Sequence, residues 1–412
     1  MTADRDNALG LYLSIPFCRS KCTYCNFASG VYPASEHVRY VERLIHDLEA
    51  AGGWAGEMGV ELPRRVDTVY LGGGTPSLLA PELLGRLFAA IRSEFDLDGD
   101  AEVTVECAPG QLAGDTLAAL VAAGVNRVSL GVQSFIDREA QSSGRLHNRA
   151  MVASDLKRLR AAGIANLNVD LIAGLAGQTI ASWQESLDEL VGSGVPHASV
   201  YMLEVDKDSR LGREMLAGGS RYHASMVPSD DAIARMYGVA IERLGRAGLA
   251  QYEISNFCRP GFASRHNLRY WQRRPYLGLG LDASSMLGVA LDGIGPGQQR
   301  HVLRSTTTDD LAAFIEGSQP AETTWISAGR QHEEAWFLGL RLNAGVEVSE
   351  LEREFGRPTV APALEVVRRQ EEAGLVTLAG NTVRLTAQGQ LLSNDVFQEF
   401  LDLEPEQVNC LR

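Results

Sequence analysis

The sequence has no run approaching the roughly 18 consecutive apolar residues that a membrane-spanning helix needs. No membrane span is expected. It has no excess of positive charge either: 38 Lys plus Arg stand against 52 Asp plus Glu, a net charge of −14. That sign disfavours a protein that grips phosphate backbones by bulk electrostatics, so no nucleic-acid partner is expected. The first residues, MTADRDNALG, lack the basic-then-apolar pattern of a secretory leader, and a cytoplasmic protein is expected. Internal repeats and low-complexity tracts are absent. With 45% hydrophobic and 22% charged residues, the 412-residue chain has the composition of a globular protein of two or three domains. Cysteine is scarce, six in all, which excludes a disulfide-knotted scaffold.

The cysteines that are present are unevenly placed. Cys18, Cys22 and Cys25 fall within eight residues, whereas Cys107, Cys258 and Cys410 are scattered and read as structural. Short β-branched runs alternate with amphipathic segments, the pattern of βα units around a parallel sheet. Six strands are expected, at 11–17, 67–71, 102–106, 127–132, 166–172 and 198–204. Helical periodicity marks 37–50, 81–94, 116–123, 150–162 and 182–191 between them, and 230–247 after them. The expected fold is α/β, a partial (β/α)6 barrel whose chemistry lies at the C-terminal ends of its strands.

Chemistry-bearing residues sit at those ends. The cysteine cluster follows the first strand and Gly72-Gly73-Gly74-Thr75 the second; Glu106 ends the third, Gln133 the fourth, and Asp170 lies late in the fifth. Each also has an ordinary reading: a tight turn for the glycines, helix caps for the two carboxylates, a partner for loop amides in Gln133.

The barrel is expected to occupy 1–250. An aromatic and basic stretch follows over 251–325, read as loops and short strands that run into a Gly- and Thr-rich linker with one helix at 308–317. A winged-helix-like module is expected over 326–412, with helices at 333–342, 348–355 and 362–373 and strands at 375–380 and 382–387. From Gln331 to Arg412, 7 Arg and no Lys face 14 Asp plus Glu, a net of −7, so a DNA-reading role for this module is disfavoured.

Three thiolates from one short loop select zinc or an iron–sulfur cluster over hard cations. Structural zinc closes its tetrahedron with a fourth ligand, and the nearest histidine, His37, lies inside a predicted helix; a four-iron cluster on three cysteines keeps one iron open. The spacing CxxxCxxC, with Tyr24 before the last cysteine, resembles the signature of radical S-adenosylmethionine (SAM) proteins. The resemblance implies a [4Fe–4S] cluster on Cys18, Cys22 and Cys25 whose open iron is chelated by SAM, and an electron donor that reduces it so that SAM is cleaved homolytically.

The resemblance continues through YLSIPFCRSKCTYCNF, YLGGGTPSLL, VECAPG, GVQSF, GRLHN, NVDLIAGLAGQT, QYEISNF, RHNLRYW and YLGLG. Together these are similar to the branch that holds oxygen-independent coproporphyrinogen III oxidase and a heme chaperone. It implies that Tyr12 and Tyr24 lie beside cluster and SAM, that Gly72, Gly73, Gly74 and Thr75 receive the methionine end, and that Glu106, Gln133, Arg145 and Asp170 hold the rest of SAM. Arg145 alternatively reads as a surface charge.

Two departures separate the members of the branch. The oxidase has a further cysteine two positions after the third, where Phe27 stands here, and an N-terminal extension for which this chain has no room before its first strand. Both point to a chaperone that binds heme and passes it to an acceptor protein, with the coproporphyrinogen III dehydrogenase reaction as the alternative. His266-Asn267-Leu268-Arg269-Tyr270-Trp271 matches the chaperone's HNxxYW pattern. The resemblance makes His266, Asn267, Tyr270 and Trp271 heme candidates, with Arg265, Arg269, Arg273 and Arg274 toward propionates and Cys258 or Tyr270 as other iron ligands. A packed, hydrogen-bonded histidine is the ordinary reading. Ser14 and Ala283-Ser284-Ser285 stand where the family often has histidines, so porphyrin contact is not expected there.

Overall fold

In the computed structural model, described for residues 7–289, 301–319 and 321–403, all six expected strands are present. They are β1 (Leu9–Ile15), β2 (Arg65–Gly73), β3 (Asp96–Cys107), β4 (Arg127–Gln133), β5 (Asn166–Ala173) and β6 (His197–Met202). Each pairs in parallel with the next. Burial on both faces explains the apolar runs; β1 has six of its seven residues buried.

The crossover helices follow the expected periodicity, and Pro81–Glu94 has the expected limits. The first is longer than expected, Ala34–Met58, because the buried stripe Tyr40, Val41, Leu44 and Leu48 continues through Ala51 and Ala55. Gly52 and Gly53 lie on its exposed side and do not end it; Gly59, with φ of 68°, does. β3 begins six residues early, since the polar segment DLDGD pairs with the start of β2 at Arg65↔Asp96.

Residues 251–325 hold more of the main sheet than a linker would. The expected short strands are present but join the main sheet: β7 (Ala250–Glu253) and β8 (Asn256–Cys258) extend the β6 side, while β9 (Tyr276–Leu279) lies parallel to β1. β10 (Ser284–Gly288), β11 (Val302–Thr306) and β12 (Glu322–Ile326) then continue antiparallel from β9, giving one open 12-stranded sheet. The sequence hid β11 because only Leu303 and Ser305 of its five residues are buried, which leaves a single aliphatic residue on the buried face. The expected helix is present at Leu311–Glu316. Residues 290–300 of the expected linker, and Cys410, lie outside the described residues.

Helices Ala328–Gly339, Val348–Phe355 and Arg357–Glu372, with β13 (Val346–Glu347), β14 (Val376–Ala379) and β15 (Thr382–Leu385), form the winged-helix-like module around Trp336, Val360, Val367 and Phe400. Two short helices, Ala387–Leu391 and Ser393–Gln398, were not expected. The module touches both sides of the open sheet. Arg341 and Asn343 exchange backbone hydrogen bonds with Ile254 and Tyr252 beside β7, and Glu334 pairs with Arg304 of β11 at 2.8 Å.

Candidate functional site: a cysteine-rimmed barrel cavity

The loop after β1 is pinned before any ligand is considered. Cys18 N–H donates to Gly30 O at 2.8 Å, Thr23 N–H to Ser143 O at 3.0 Å, and Leu211 N–H to Thr23 O at 2.8 Å. All three cysteines line a cavity of about 550 Å³ that runs down the barrel lumen. Arg145 donates to Cys22 Sγ at 3.5 Å, Thr75 to Cys18 Sγ at 3.9 Å, and Ser29 lies 3.9 Å from Cys25 Sγ. Among the described residues, no three of His, Cys, Asp or Glu form a group that could hold a metal ion. The donor set itself, three soft sulfurs on one loop, suits a four-iron cluster in which three irons take one thiolate each and the fourth stays open.

The other rim residues converge on the same cavity. Gly73, Gly74, Thr75, Tyr24, Glu106, Gln133, Arg145 and Asp170 all line it. Gly72 and Tyr12 do not, but a Cβ on Gly72 would stand 3.0 Å from Glu106 Oε1, and one on Gly73 would stand 3.5 Å from the Tyr12 hydroxyl. The glycines thus serve packing as well as access. A Cβ on Gly74 would sit 2.7 Å from Ile15 O, so this glycine lets the turn press against the end of β1.

The alternative readings of the polar residues fare differently here. Arg145 is no surface charge: it donates to Gly131 O as well as to Cys22. Asp170 is no helix cap, for it accepts from Ser129 at 2.9 Å and Asn168 at 2.7 Å, and burial raises its pKa. Burial also pushes Glu106 up to about 7, partly offset by the Tyr70 hydroxyl 2.8 Å away. Gln133 adopts φ of 68°, uncommon for a non-glycine, and its Oε1 is buried without a partner. Thr104 Oγ1 and Asn256 Oδ1 on the cavity wall are likewise unpartnered. These atoms fit a polar ligand deep in the lumen.

Several wall residues were missed. Tyr70, Thr104, Arg127, Ser129, Asn168, His197, Ser199 and Tyr201 alternate with buried aliphatic residues, so they face inward. The signal was period two: polar side chains at every second strand position mark a lumen.

The HNxxYW stretch is not a surface loop. It forms a helix, Arg265–Trp271, anchored to Asp67 and Thr68 near the start of β2 and to Glu102 of β3. Glu102 accepts from the backbone N–H of Arg265 at 3.1 Å and of His266 at 3.0 Å, while buried Arg269 pairs with buried Asp67. The four heme candidates diverge. Asn267 lines the cysteine cavity, whereas Tyr270 and Trp271 line a second cavity of about 290 Å³. His266 lies between, 1% exposed, with Nδ1 2.9 Å from Thr68 Oγ1 and Nε2 2.9 Å from the Tyr270 hydroxyl. Burial lowers its pKa to about 3, so the imidazole is neutral. The ordinary reading of a packed, hydrogen-bonded histidine describes this geometry, because both ring nitrogens are engaged.

The arginines assigned to propionates are engaged as well. Arg265, Arg269 and Arg274 all reach Asp67, and Arg273 pairs with Glu354 at 2.7 Å. Cys258 is buried on β8 and lines neither cavity.

The pattern of the radical SAM superfamily matches residues 12–190, and that of the HemN C-terminal domain matches 327–392. The chain is 33% identical to heme chaperone HemW of Bacillus subtilis (strain 168), over 95% of this chain and 98% of that one. It is 32% identical to heme chaperone HemW of Lactococcus lactis subsp. lactis (strain IL1403), over 95% and 96%. Coproporphyrinogen III oxidase (HemN) from Escherichia coli, a radical SAM enzyme, has the same fold at a TM-score of 0.78 and 22% identity, over 96% of this chain and 90% of that one. The cysteine loop, the barrel and the C-terminal module therefore place the chain in the radical SAM superfamily, and within it the chain belongs to the HemW family.

Proposed function

We propose that this protein binds heme and delivers it to an acceptor protein, and that Cys18, Cys22 and Cys25 carry a [4Fe–4S] cluster whose open iron takes SAM. The observation that carries the reading is a three-thiol loop opening on a polar lumen with unpartnered buried atoms, while Phe27, 62% exposed, stands two positions after the last cysteine. The names of the HemW relatives support the heme role.

When bound, cluster and SAM together supply one-electron chemistry, for which an electron donor is needed. The chain's own residues bind and orient. Gly73, Gly74 and Thr75 shape the rim, with the Gly74 and Thr75 N–H groups donating to Ile15 O and Phe17 O; Gln133 offers its unpartnered amide oxygen, and Glu106 and Asp170 offer carboxylates from the wall. Arg145 steadies Cys22, and Tyr24 covers it from the side of Leu203 and Leu211. The same set suits a coproporphyrinogen III dehydrogenase, a second reading favoured by the fold shared with the oxidase. The compartment we assign is the cytoplasm; among the described residues no helix is long and apolar enough to cross a membrane.

The test is to incubate reconstituted protein with SAM and dithionite, with coproporphyrinogen III in one arm and heme in the other. Stoichiometric heme uptake and transfer to an apo-acceptor, without decarboxylated porphyrinogen, is the expected result. Turnover of coproporphyrinogen III would establish the second reading instead.

A further inference from the structure

The floor of the barrel lumen holds a charge that nothing around it balances. Arg127 begins β4 and Gln133 ends it, so the two lie roughly 20 Å apart along the strand at about 3.3 Å per residue. Arg127 is 2% exposed and lines the cysteine cavity at that far end. Its Nη1 donates to Asn166 Oδ1 at 2.7 Å and to Phe262 O at 3.2 Å, both neutral acceptors. Among the described residues no carboxylate pairs with it, and Nε and Nη2 have no partner. A buried cation without an anion is the costly half of an ion pair.

The surrounding groups do not supply the missing anion. His197 donates from Nδ1 to Asn168 Oδ1 at 2.7 Å and accepts at Nε2 from the Tyr252 hydroxyl at 2.9 Å, and burial keeps the ring neutral. Asn168 in turn donates to Ser129, Asp170 and Ser199, so this network is closed on itself. Two groups on the same wall stand outside it. Thr104 Oγ1, opposite Arg127 in the β3–β4 register, and Asn256 Oδ1 are buried without partners.

We infer that this floor is a second ligand site, separate from that of SAM, and that it takes a small hydroxy- or amino-carboxylate. Nε and Nη2 form one edge of the guanidinium, the fork that meets both oxygens of a carboxylate. Asn256 Oδ1 can only accept, so the ligand carries a hydroxyl or ammonium donor beside its acid. A dianionic phosphate would bring a second charge toward Glu106 and Asp170 that one cation does not balance. The carboxylate of SAM is held at the rim in the reading above, a lumen's length away. At about 550 Å³ the cavity has the size for one drug-sized ligand, so beneath SAM it admits only a small molecule. The inference rests on the SAM reading for that separation alone and requires no heme.

Isothermal titration of the full-length, cluster-loaded protein, with and without SAM, tests the site with glycolate, L-lactate and L-serine as probes. Inorganic phosphate, and chloride at equal ionic strength, are the control arms. At least one carboxylate should bind saturably and do so equally with SAM present. Arg127→Gln should abolish that binding. Thr104→Val, which removes an unpartnered hydroxyl at little cost to the fold, should weaken it by roughly tenfold, the scale of one hydrogen bond. Iron content should match wild type in both variants, and if Arg127→Gln does not fold, Thr104→Val decides alone. No uptake of any carboxylate by the wild type, wild-type affinity in Thr104→Val, tighter binding of phosphate, or displacement of SAM by a probe each overturns the site. A protein that takes the carboxylate but not SAM would overturn the SAM reading and leave the floor site standing.

Discussion

The Tyr70 hydroxyl donates a 2.8 Å hydrogen bond to Glu106 on the lumen wall, joining the neighbouring strands β2 and β3. Burial nevertheless dominates that carboxyl and pushes it from 4.5 up to about 7, with the nearby Asp170 charge in the same direction and Gly73 N–H and Arg145 against it. The folded protein therefore holds the proton more tightly than the unfolded chain does. Between about pH 4.5 and 7 this group makes stability fall as pH rises, by roughly 3 kcal/mol in all. Glu106→Gln should flatten that portion of a urea-unfolding pH series. Affinity for SAM, a cation, should rise through the same range in wild type and not in the variant, as equilibrium dialysis would measure.

Removal of any one of Cys18, Cys22 or Cys25 by alanine should abolish the roughly 400 nm absorption of a thiolate-held four-iron centre. Cys107→Ala and Cys258→Ala should keep it, because those side chains are buried in β3 and β8, outside the rim loop. Iron and sulfide analysis distinguishes the two groups. A full complement in a rim variant would mean the ligands are elsewhere.

Gly74→Ala tests the turn that supports the cysteine loop. Its Cβ would meet Ile15 O at 2.7 Å and Phe17 N at 2.9 Å, both backbone atoms with no rotamer to escape into. The variant should lose about 1–3 kcal/mol, the cost typical of overpacking, and its iron content should drop. Gly85→Ala, where the added Cβ meets nothing within 4 Å, is the control. Equal behaviour of the two would remove the case for a packed turn.

Asp67 carries three arginines and is 1% exposed, with Arg269 fully buried beside it. Asp67→Asn should destabilise by about 3–5 kcal/mol, since it strands a buried cation. Asp67→Leu combined with Arg269→Met should recover much of the loss, because an apolar pair carries no charge to desolvate. Thermal denaturation of the three proteins compares them directly.

The strands were legible because aliphatic runs such as Leu167, Val169 and Leu171 are buried on the helix side whatever the lumen contains. The rim was legible because a strand end, once placed, locates the next few residues. What escaped the sequence was long-range. Nothing local in Tyr276–Leu279 says that it pairs with β1, more than 260 residues earlier. Nor does the spacing of His266, Asn267 and Tyr270 reveal that successive helical positions point toward different cavities; that depends on where the helix lies against β2 and β3. His266 looked available as a ligand because its partners, Thr68 and Tyr270, are contributed by tertiary packing and by the next helical turn.

The C-terminal module meets the sheet beside β7 through Arg341 and Asn343 and at β11 through Glu334, while contributing no residue to the wall of the cysteine cavity. It works as a clasp across an unfinished cylinder. Two flanks of the sheet that bounds the lumen are thus bridged by a domain that supplies none of the lining side chains.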